Sequence, residues 1–82
     1  MEIDNEKIDR AVLALLYLTS FEERNGDIRA WKSHDWGALD RLFENGLIYN
    51  PKNKAKSVVL TEEGAKLSHE LYNNLFCKDD SQ

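Results

Sequence analysis

Apolar residues near the N-terminus recur with the spacing of a helix. The positions on one helical face are Ile8, Val12, Leu15, Leu16 and Thr19. Asp4 or Asn5 can cap this helix, and the pattern predicts that it ends at Gly26, which can adopt a left-handed conformation. Apolar character extends around the circumference over residues 11–18, so we expect burial on several sides, some of it against a second subunit.

Two further apolar stripes predict two more helices. Asp35 can cap the second helix, which covers about residues 36–45 and ends at Gly46. Thr61 can cap the third helix in the same way. Its inner stripe is formed by Leu67, Leu71, Tyr72, Leu75 and Phe76.

Residues 47–60 change from helical to alternating periodicity, and two β-prone runs flank a polar, proline-containing turn. They predict a β-hairpin. Residues 27–34 also alternate, so a short strand and a connecting loop with Trp31 tucked inward both fit. The sequence therefore predicts a mostly α chain with a small β-hairpin, in the order α-α-β-β-α. It forms a single domain over residues 1–77, followed by a flexible tail over residues 78–82.

Composition places the chain among ordinary globular proteins. Its 82 residues are 41% hydrophobic and 32% charged, which suits one small domain. The longest apolar run, residues 11–18, is much shorter than the ~20 residues of a membrane span. We therefore expect a cytoplasmic protein with no membrane contact.

The chain offers no recognisable catalytic or metal-binding pattern. Ser33, His34 and Asp35 are consecutive, and three consecutive side chains cannot orient one another as a catalytic triad does. A capping turn is the preferred interpretation. His34, His69 and Cys77 lack the close spacing of metal ligands. We expect no enzyme, no catalytic residues, no cofactor and no metal.

The net charge of −4 is unevenly distributed, with acidic residues concentrated toward both ends. The hairpin segment carries Lys52, Lys54 and Lys56 and no acid. Two interpretations stay open: these lysines contact nucleic-acid phosphates, or they keep a solvated sheet edge soluble. Trp31 and Trp36 likewise suit either base stacking or core packing, and we expect core packing.

Residues 42–48 read Leu-Phe-Glu-Asn-Gly-Leu-Ile, and residues 60–64 read Leu-Thr-Glu-Glu-Gly. Together with the hairpin between them, residues 39–64 resemble the second half of winged-helix repressors of the multiple-antibiotic-resistance type. The resemblance implies a winged-helix-like fold. It also implies a DNA-binding regulator that contacts phosphates through the hairpin wing, with Lys52, Lys54, Lys56 and Arg41 as the contacts.

Two features depart from those DNA-binding relatives. Residues 27–34 are too few for the helix that normally supports a recognition helix, so the first helix of the helix-turn-helix is missing or degenerate. The helix in the recognition position carries three carboxylates against Arg41 alone, and carboxylates repel phosphate. Both departures favour protein–protein interaction, most simply a homodimer with Leu13, Tyr17 and Leu18 at its interface. DNA binding through the wing, weak at best, is the alternative.

Four segments extend a second resemblance over the whole chain. Residues 11–18, 30–32, 35–36 and 54–64 read Ala-Val-Leu-Ala-Leu-Leu-Tyr-Leu, Ala-Trp-Lys, Asp-Trp and Lys-Ala-Lys-Ser-Val-Val-Leu-Thr-Glu-Glu-Gly. They are similar to an uncharacterised family of short bacterial proteins. That family brings no function with it.

Overall fold

The computed structural model describes residues 2–78 as three helices and a three-stranded sheet. The helices are α1 (Asn5–Leu18), α2 (Trp36–Glu44) and α3 (Glu62–Phe76), and the strands are β1 (Phe21–Glu22), β2 (Ile28–Trp31) and β3 (Ser57–Leu60). The sheet is antiparallel in the order β1-β2-β3. The predicted class, mostly α with a small hairpin, is confirmed. Residues 79–82 of the predicted tail lie outside the described residues.

Each helix begins at a side-chain cap that the sequence predicts. Asp4, Asp35 and Thr61 accept hydrogen bonds at 3.0–3.2 Å from backbone amides of the first helical turns. These amides have no partner inside their own helix, so the caps stabilise the three starts. Gly46 follows α2 with a φ of 76°, as the pattern predicts for a helix end.

The first helix ends earlier than predicted. The expectation that it continues to Gly26 is wrong, because the chain leaves α1 after Leu18 and forms β1. The hydroxyls of Thr19 and Ser20 donate to carbonyls of the last turn at 3.3 and 2.7 Å, and such local bonds compete with a continuing helix. Gly26, with a φ of 91°, lies instead in the tight turn that joins β1 to β2.

Residues 27–34 contain a strand, so the first of the two open interpretations is correct. In β2, Ala30 lies opposite Val58 and Trp31 lies opposite Ser57 of β3. Side chains alternate between the faces of a strand, so Ala30 points into the protein and Trp31 points out. The inward position of Trp31 is therefore not adopted.

The first arm of the predicted hairpin is reduced to a bridge. Ile48 pairs with Leu60, and the amide of Tyr49 donates to Val59 at 2.9 Å. Pro51 has no amide hydrogen to continue the ladder, so residues 50–56 form a loop. We call these residues the lysine loop. Its three lysines do not share one face of a strand as regular pairing would require.

The core lies where α1 meets α2, α3 and β2. Its buried members are Val12, Leu13, Leu16, Ala30, Ala38, Leu39, Leu42, Ile48, Val58 and Leu60. Neighbours within the chain cover α1 on three sides. The nearly complete apolar circumference of this helix is thus explained largely by packing inside one subunit.

The start of α3 packs directly against residues 46–47, which follow α2. Thr61 donates through its amide to Leu47 at 3.0 Å and through its hydroxyl to Gly46 at 2.7 Å. A Cβ on Gly64 would collide with the Leu47 carbonyl, lying 2.7 Å from its carbon. The Leu-Thr-x-x-Gly motif therefore has a packing reason, since its glycine lets two backbone segments meet.

Candidate interaction surfaces

Aromatic rings connect the end of α1 to the last turns of α3. Tyr17 stacks on His69 with ring centroids 4.9 Å apart and contacts Tyr72 at 5.0 Å. Tyr72 in turn meets the edge of Phe76 at 5.9 Å. We call these four residues, together with the exposed Leu18, the helical cluster. Phe76 keeps 47% of its surface exposed, so the cluster continues to the surface of the protein.

The three residues predicted at a dimer interface have different positions. Leu13 is only 1% exposed and lies in the core, so its assignment to an interface is wrong. Its helical face is covered by the other elements of the same chain. Tyr17 is half-buried within the helical cluster, and Leu18 is exposed. The latter two residues are available to a partner.

The sheet presents a second surface with exposed aromatic rings. Phe21 pairs with Arg29, which pairs with Val59, and the amide of Tyr49 bonds to Val59. These residues form one row across the sheet, on the face opposite the core. Trp31 lies on the same face, 5.4 Å from Phe21 between ring centroids. We call Phe21, Arg29, Trp31, Tyr49 and Val59 the outer sheet face.

The expectation that both tryptophans pack in the core is wrong. Trp31 is 51% exposed and Trp36 is 52% exposed. Small and aliphatic residues fill the interior at these elements, namely Ala30 in β2 and Ala38, Leu39 and Leu42 in α2. The larger indole rings therefore remain on the surface.

Arg29 is held in place at the centre of the outer sheet face. Its Nε donates to Ser57 Oγ at 2.8 Å, and its Nη2 donates to the Ser57 carbonyl at 3.4 Å. Glu23 lies 3.9 Å from the same guanidinium. The neighbouring hydroxyl and carboxylate fix the side chain along the sheet, which leaves the aromatic rings on either side accessible.

The lysine loop has an ordered conformation, supported by two asparagines. Asn50 accepts from the amide of Lys52 at 2.9 Å, and Asn53 accepts from the amide of Ala55 at 2.9 Å. Lys32, at the end of β2, donates to Asn53 Oδ1 at 2.8 Å. A fourth lysine thus joins the three that the sequence indicates, directly beside Trp31.

Charge differs between the two ends of β2. The end near the lysine loop has four lysines: Lys32, Lys52, Lys54 and Lys56. The turn at the other end carries Glu22, Glu23 and Asp27 against Arg24. Lys52 approaches Asp40 of α2 at 3.9 Å, a distance typical of a weak exposed pair. The outer sheet face therefore extends from an acidic end to a basic end.

Arg41 faces the protein rather than a phosphate. Its Nε and Nη2 each donate to the Asp9 carboxylate at 2.8 Å, a bidentate pair between α2 and α1. These hydrogen bonds, with the charges of Asp9, Asp35 and Glu44, raise the pKa of Arg41 above its ordinary value. An internal carboxylate thus neutralises the charge of Arg41, which disfavours a phosphate contact there, and the assignment of Arg41 as such a contact stays a prediction.

A groove of about 370 Å³ opens between α1, α3 and the end of α2. Its floor includes Leu13, Leu42, Leu47, Leu67 and Leu71. Two acids on its rim already have cationic partners: Glu6 lies 3.5 Å from Arg10, and Asp9 holds Arg41. A third acid, Glu70, also lines the groove, so its apolar floor and acidic rim point to no particular ligand.

Metal binding and membrane crossing each require a recognisable structural feature. Within residues 2–78, no three histidine, cysteine or acidic side chains lie close enough together to hold a metal ion. The same part of the chain contains no helix long and apolar enough to cross a membrane. Asp35 is engaged as the cap of α2, in agreement with the capping-turn interpretation of residues 33–35.

Sequence reasoning missed Phe21, Lys32 and Tyr49. Asn25-Gly26 is a strong hairpin signal, and reading it as a turn between two strands would have placed Phe21 on a sheet. Tyr49 follows the inward Ile48, so strict alternation assigns it to the outer face. The sequence carries no signal for Lys32, because its proximity to Asn53 depends on the pairing of β2 with β3.

Comparison with known proteins places this chain in a family. The family described as "Domain of unknown function (DUF6429)" matches residues 4–78. The chain belongs to that family. Its predicted kinship with uncharacterised short proteins is thereby confirmed. An uncharacterized protein of Sinorhizobium fredii, y4hR, is similar, with 56% identity over 78 residues that cover 95% of this chain and 100% of the relative.

The winged-helix resemblance has a different outcome. No solved structure matches this member of the family. The winged-helix likeness of residues 39–64 therefore stays a prediction. Neither the family nor this relative brings an activity, ligand or partner to the chain.

Proposed function

We propose that this chain is a non-catalytic interaction module that forms a homodimer through the helical cluster. The observation that carries the proposal is the continuous aromatic contact from Tyr17 through Tyr72 to Phe76, which ends on the surface. Leu18 follows Tyr17 at the end of α1 and is 56% exposed. Aromatic side chains with much of their area exposed are typical anchors of protein–protein interfaces.

The geometry suits a second copy of the chain. A two-fold axis would bring the same patch of both subunits together, so Phe76 of one could pack on the tyrosines of the other. Rings that are already fixed by their neighbours lose little conformational freedom on binding. The stacked contact between Tyr17 and His69 therefore supports a preformed interface.

Light scattering at tens of micromolar tests this proposal. We expect a mass of twice the 9.5 kDa monomer for the unmodified chain. Phe76→Glu places a charge within the interface, and we expect it to weaken association by about 30-fold or more, as for an interface anchor. Phe43→Glu is the matched control, since Phe43 is also helical and 42% exposed but lies on α2.

Each result is decisive. A monomeric mass for the unmodified chain would contradict the proposal. Equal dissociation by Phe76→Glu and Phe43→Glu would move the interface away from the helical cluster. Far-ultraviolet circular dichroism of both variants separates dissociation from unfolding.

A second candidate function is contact with nucleic-acid phosphates through the lysine loop. The observation in its favour is the position of Lys32, which adds a fourth positive charge beside the loop. The internal pairing of Arg41 argues against a groove-binding role for α2. Any nucleic acid would thus approach the sheet rather than the helix that resembles a recognition helix.

A further inference from the structure

We propose that the outer sheet face and the lysine loop together bind single-stranded nucleic acid. Bases would stack on the exposed rings of Trp31 and Tyr49, and phosphates would lie against the neighbouring lysines. The inference deepens the second candidate function and rests on it, and it uses none of the residues in the helical cluster.

The aromatic rings meet the first requirement of such a site. Trp31 and Tyr49 are exposed, and Phe21 supports Trp31 through a ring contact of 5.4 Å. Trp31 on β2 and Tyr49 on the far side of β3 are two strand spacings apart, about 10 Å, so each ring can receive a separate base of an extended single strand. Every base has a π-face, so this kind of stacking tolerates any sequence.

The lysines meet the second requirement. Lys56 directly precedes the partner of Trp31 in β3, and the amide of Lys32 donates to the Lys56 carbonyl at 3.1 Å. Lys54 is exposed in the same loop. The bonds of Asn50 and Asn53 hold the loop in shape, so little ordering is needed when a phosphate binds.

Charge and shape favour a single strand over a duplex. Paired bases are stacked inside a duplex and cannot reach aromatic rings on a flat sheet. The acidic turn at the far end of β2 repels phosphate, so the backbone must follow the basic end while the bases lie over Trp31. The α2 surface carries Asp40 and Glu44, which disfavour insertion into a major groove.

A labelled single-stranded DNA of mixed sequence, about 12 nucleotides long, is the probe, because single-strand sites span roughly 4–16 nucleotides. Fluorescence anisotropy at low salt should show saturable binding in the micromolar range. Three or four phosphate contacts predict a slope of about −2 to −3 in a plot of log affinity against log salt. A duplex of the same sequence should bind more weakly, and a matched RNA shows whether the sugar matters.

The two tryptophans provide a matched pair of variants. Trp31→Ala should weaken binding by about 5- to 150-fold, the range for loss of one stacked base. Trp36→Ala removes a ring of almost equal exposure from α2 and should leave the affinity unchanged. Equal losses from both variants would overturn the proposal.

The lysines are tested by salt dependence. The double change Lys54→Gln with Lys56→Gln should make the salt slope shallower by about 1.4, since each single-strand contact contributes about 0.7. The control pair Lys7→Gln with Lys66→Gln lies on α1 and α3 and should leave the slope unchanged. Circular dichroism of each variant tests whether it is folded.

Other outcomes identify another occupant. Absence of binding at low salt with 100 µM protein would overturn the proposal. If Trp31→Glu then also halves the mass of a dimer, the acidic and basic ends of the sheet pair with those of a second copy instead. Phe76→Glu, in contrast, tests the helical cluster alone, so failure of one proposal is distinguishable from failure of the other.

Discussion

The two faces of the sheet both carry apolar residues, but they differ in the size of those residues and in their surroundings. On the inner face, Ala30, Val58 and Leu60 are buried against the helices. On the outer face, Trp31 and Tyr49 expose more than half of their surface. The larger apolar side chains thus lie outside, and the smaller ones lie inside.

This difference separates stability from interaction. The inner residues remove their apolar surface from water within one chain and so contribute directly to folding. The outer rings contribute part of their area at most and leave the remainder for a ligand or partner. Substitutions inside should therefore change the free energy of unfolding, and substitutions outside should mainly change binding.

The largest effect is expected where the interior has no spare volume. Gly64→Ala forces α3 away from the Leu47 carbonyl, and we expect a loss of about 3 kcal/mol or more in the free energy of unfolding. Gly37→Ala in α2 is the control, because its Cβ would meet only the side chains of Asp35 and Arg41, at 3.1 and 3.4 Å. Urea denaturation measures both, and a change below about 1 kcal/mol is expected for the control.

If Gly64→Ala were neutral, the contact between α3 and the residue after Gly46 would be adjustable. The packing of α3 against the Leu47 carbonyl would then be looser than the structure shows. Helix content measured by circular dichroism shows whether α3 has shifted or unfolded.

Two adjacent valines give the most direct test of the comparison. Val58 faces the core and is fully buried, and Val59 faces outward and is half-buried. Val58→Ala should cost about 2 kcal/mol, because two buried methyl groups and the resulting cavity are involved. Val59→Ala should cost about half as much or less. Equal losses from the two variants would show that the outer face is also covered.

The smallest effect concerns His34, between the sheet and α2. Burial lowers the pKa of His34 below its ordinary value, so the unfolded chain binds a proton more readily than the folded chain. The contribution of His34 to stability is therefore fully present above the ordinary histidine pKa. It is lost as the pH decreases through the lowered pKa of His34 in the folded chain. Denaturation midpoints between pH 7.5 and 5 measure this decrease.

His34→Gln is the matched variant for that measurement, since glutamine does not titrate. We expect a flatter pH dependence between pH 7.5 and 5 than for the unmodified chain. An unchanged slope would assign the pH dependence to other groups. The change is expected to be slight, because His34 is only partly buried.

Helix boundaries show how far sequence reasoning extends. The caps at Asp4, Asp35 and Thr61 were predicted because each depends on a side chain and amides two or three residues away. The end of α1 was not predicted, because the apolar pattern continues beyond Leu18 into a strand. Periodicity could not separate a longer helix from a short edge strand over so few residues.

The candidate sites follow the same division. Lys52, Lys54 and Lys56 are local in the sequence and lie together in one loop, whereas Arg41 lies on α2 and is paired within the chain. Its partner Asp9 is distant in the chain, and only the packing of α1 on α2 brings the two together. Leu13 was misassigned for a related reason, since the neighbours that cover it come from other elements.

The sequence by itself determined the three helix starts, the hairpin region and the position of the main lysines. Each depends on neighbours within a few residues, where backbone geometry leaves few alternatives. Tertiary structure alone decided which apolar residues are buried, which charges are paired and which rings share a surface. Burial and pairing depend on residues that are far apart in the chain. Alanine and leucine fill the closely packed core, and both tryptophans lie outside it.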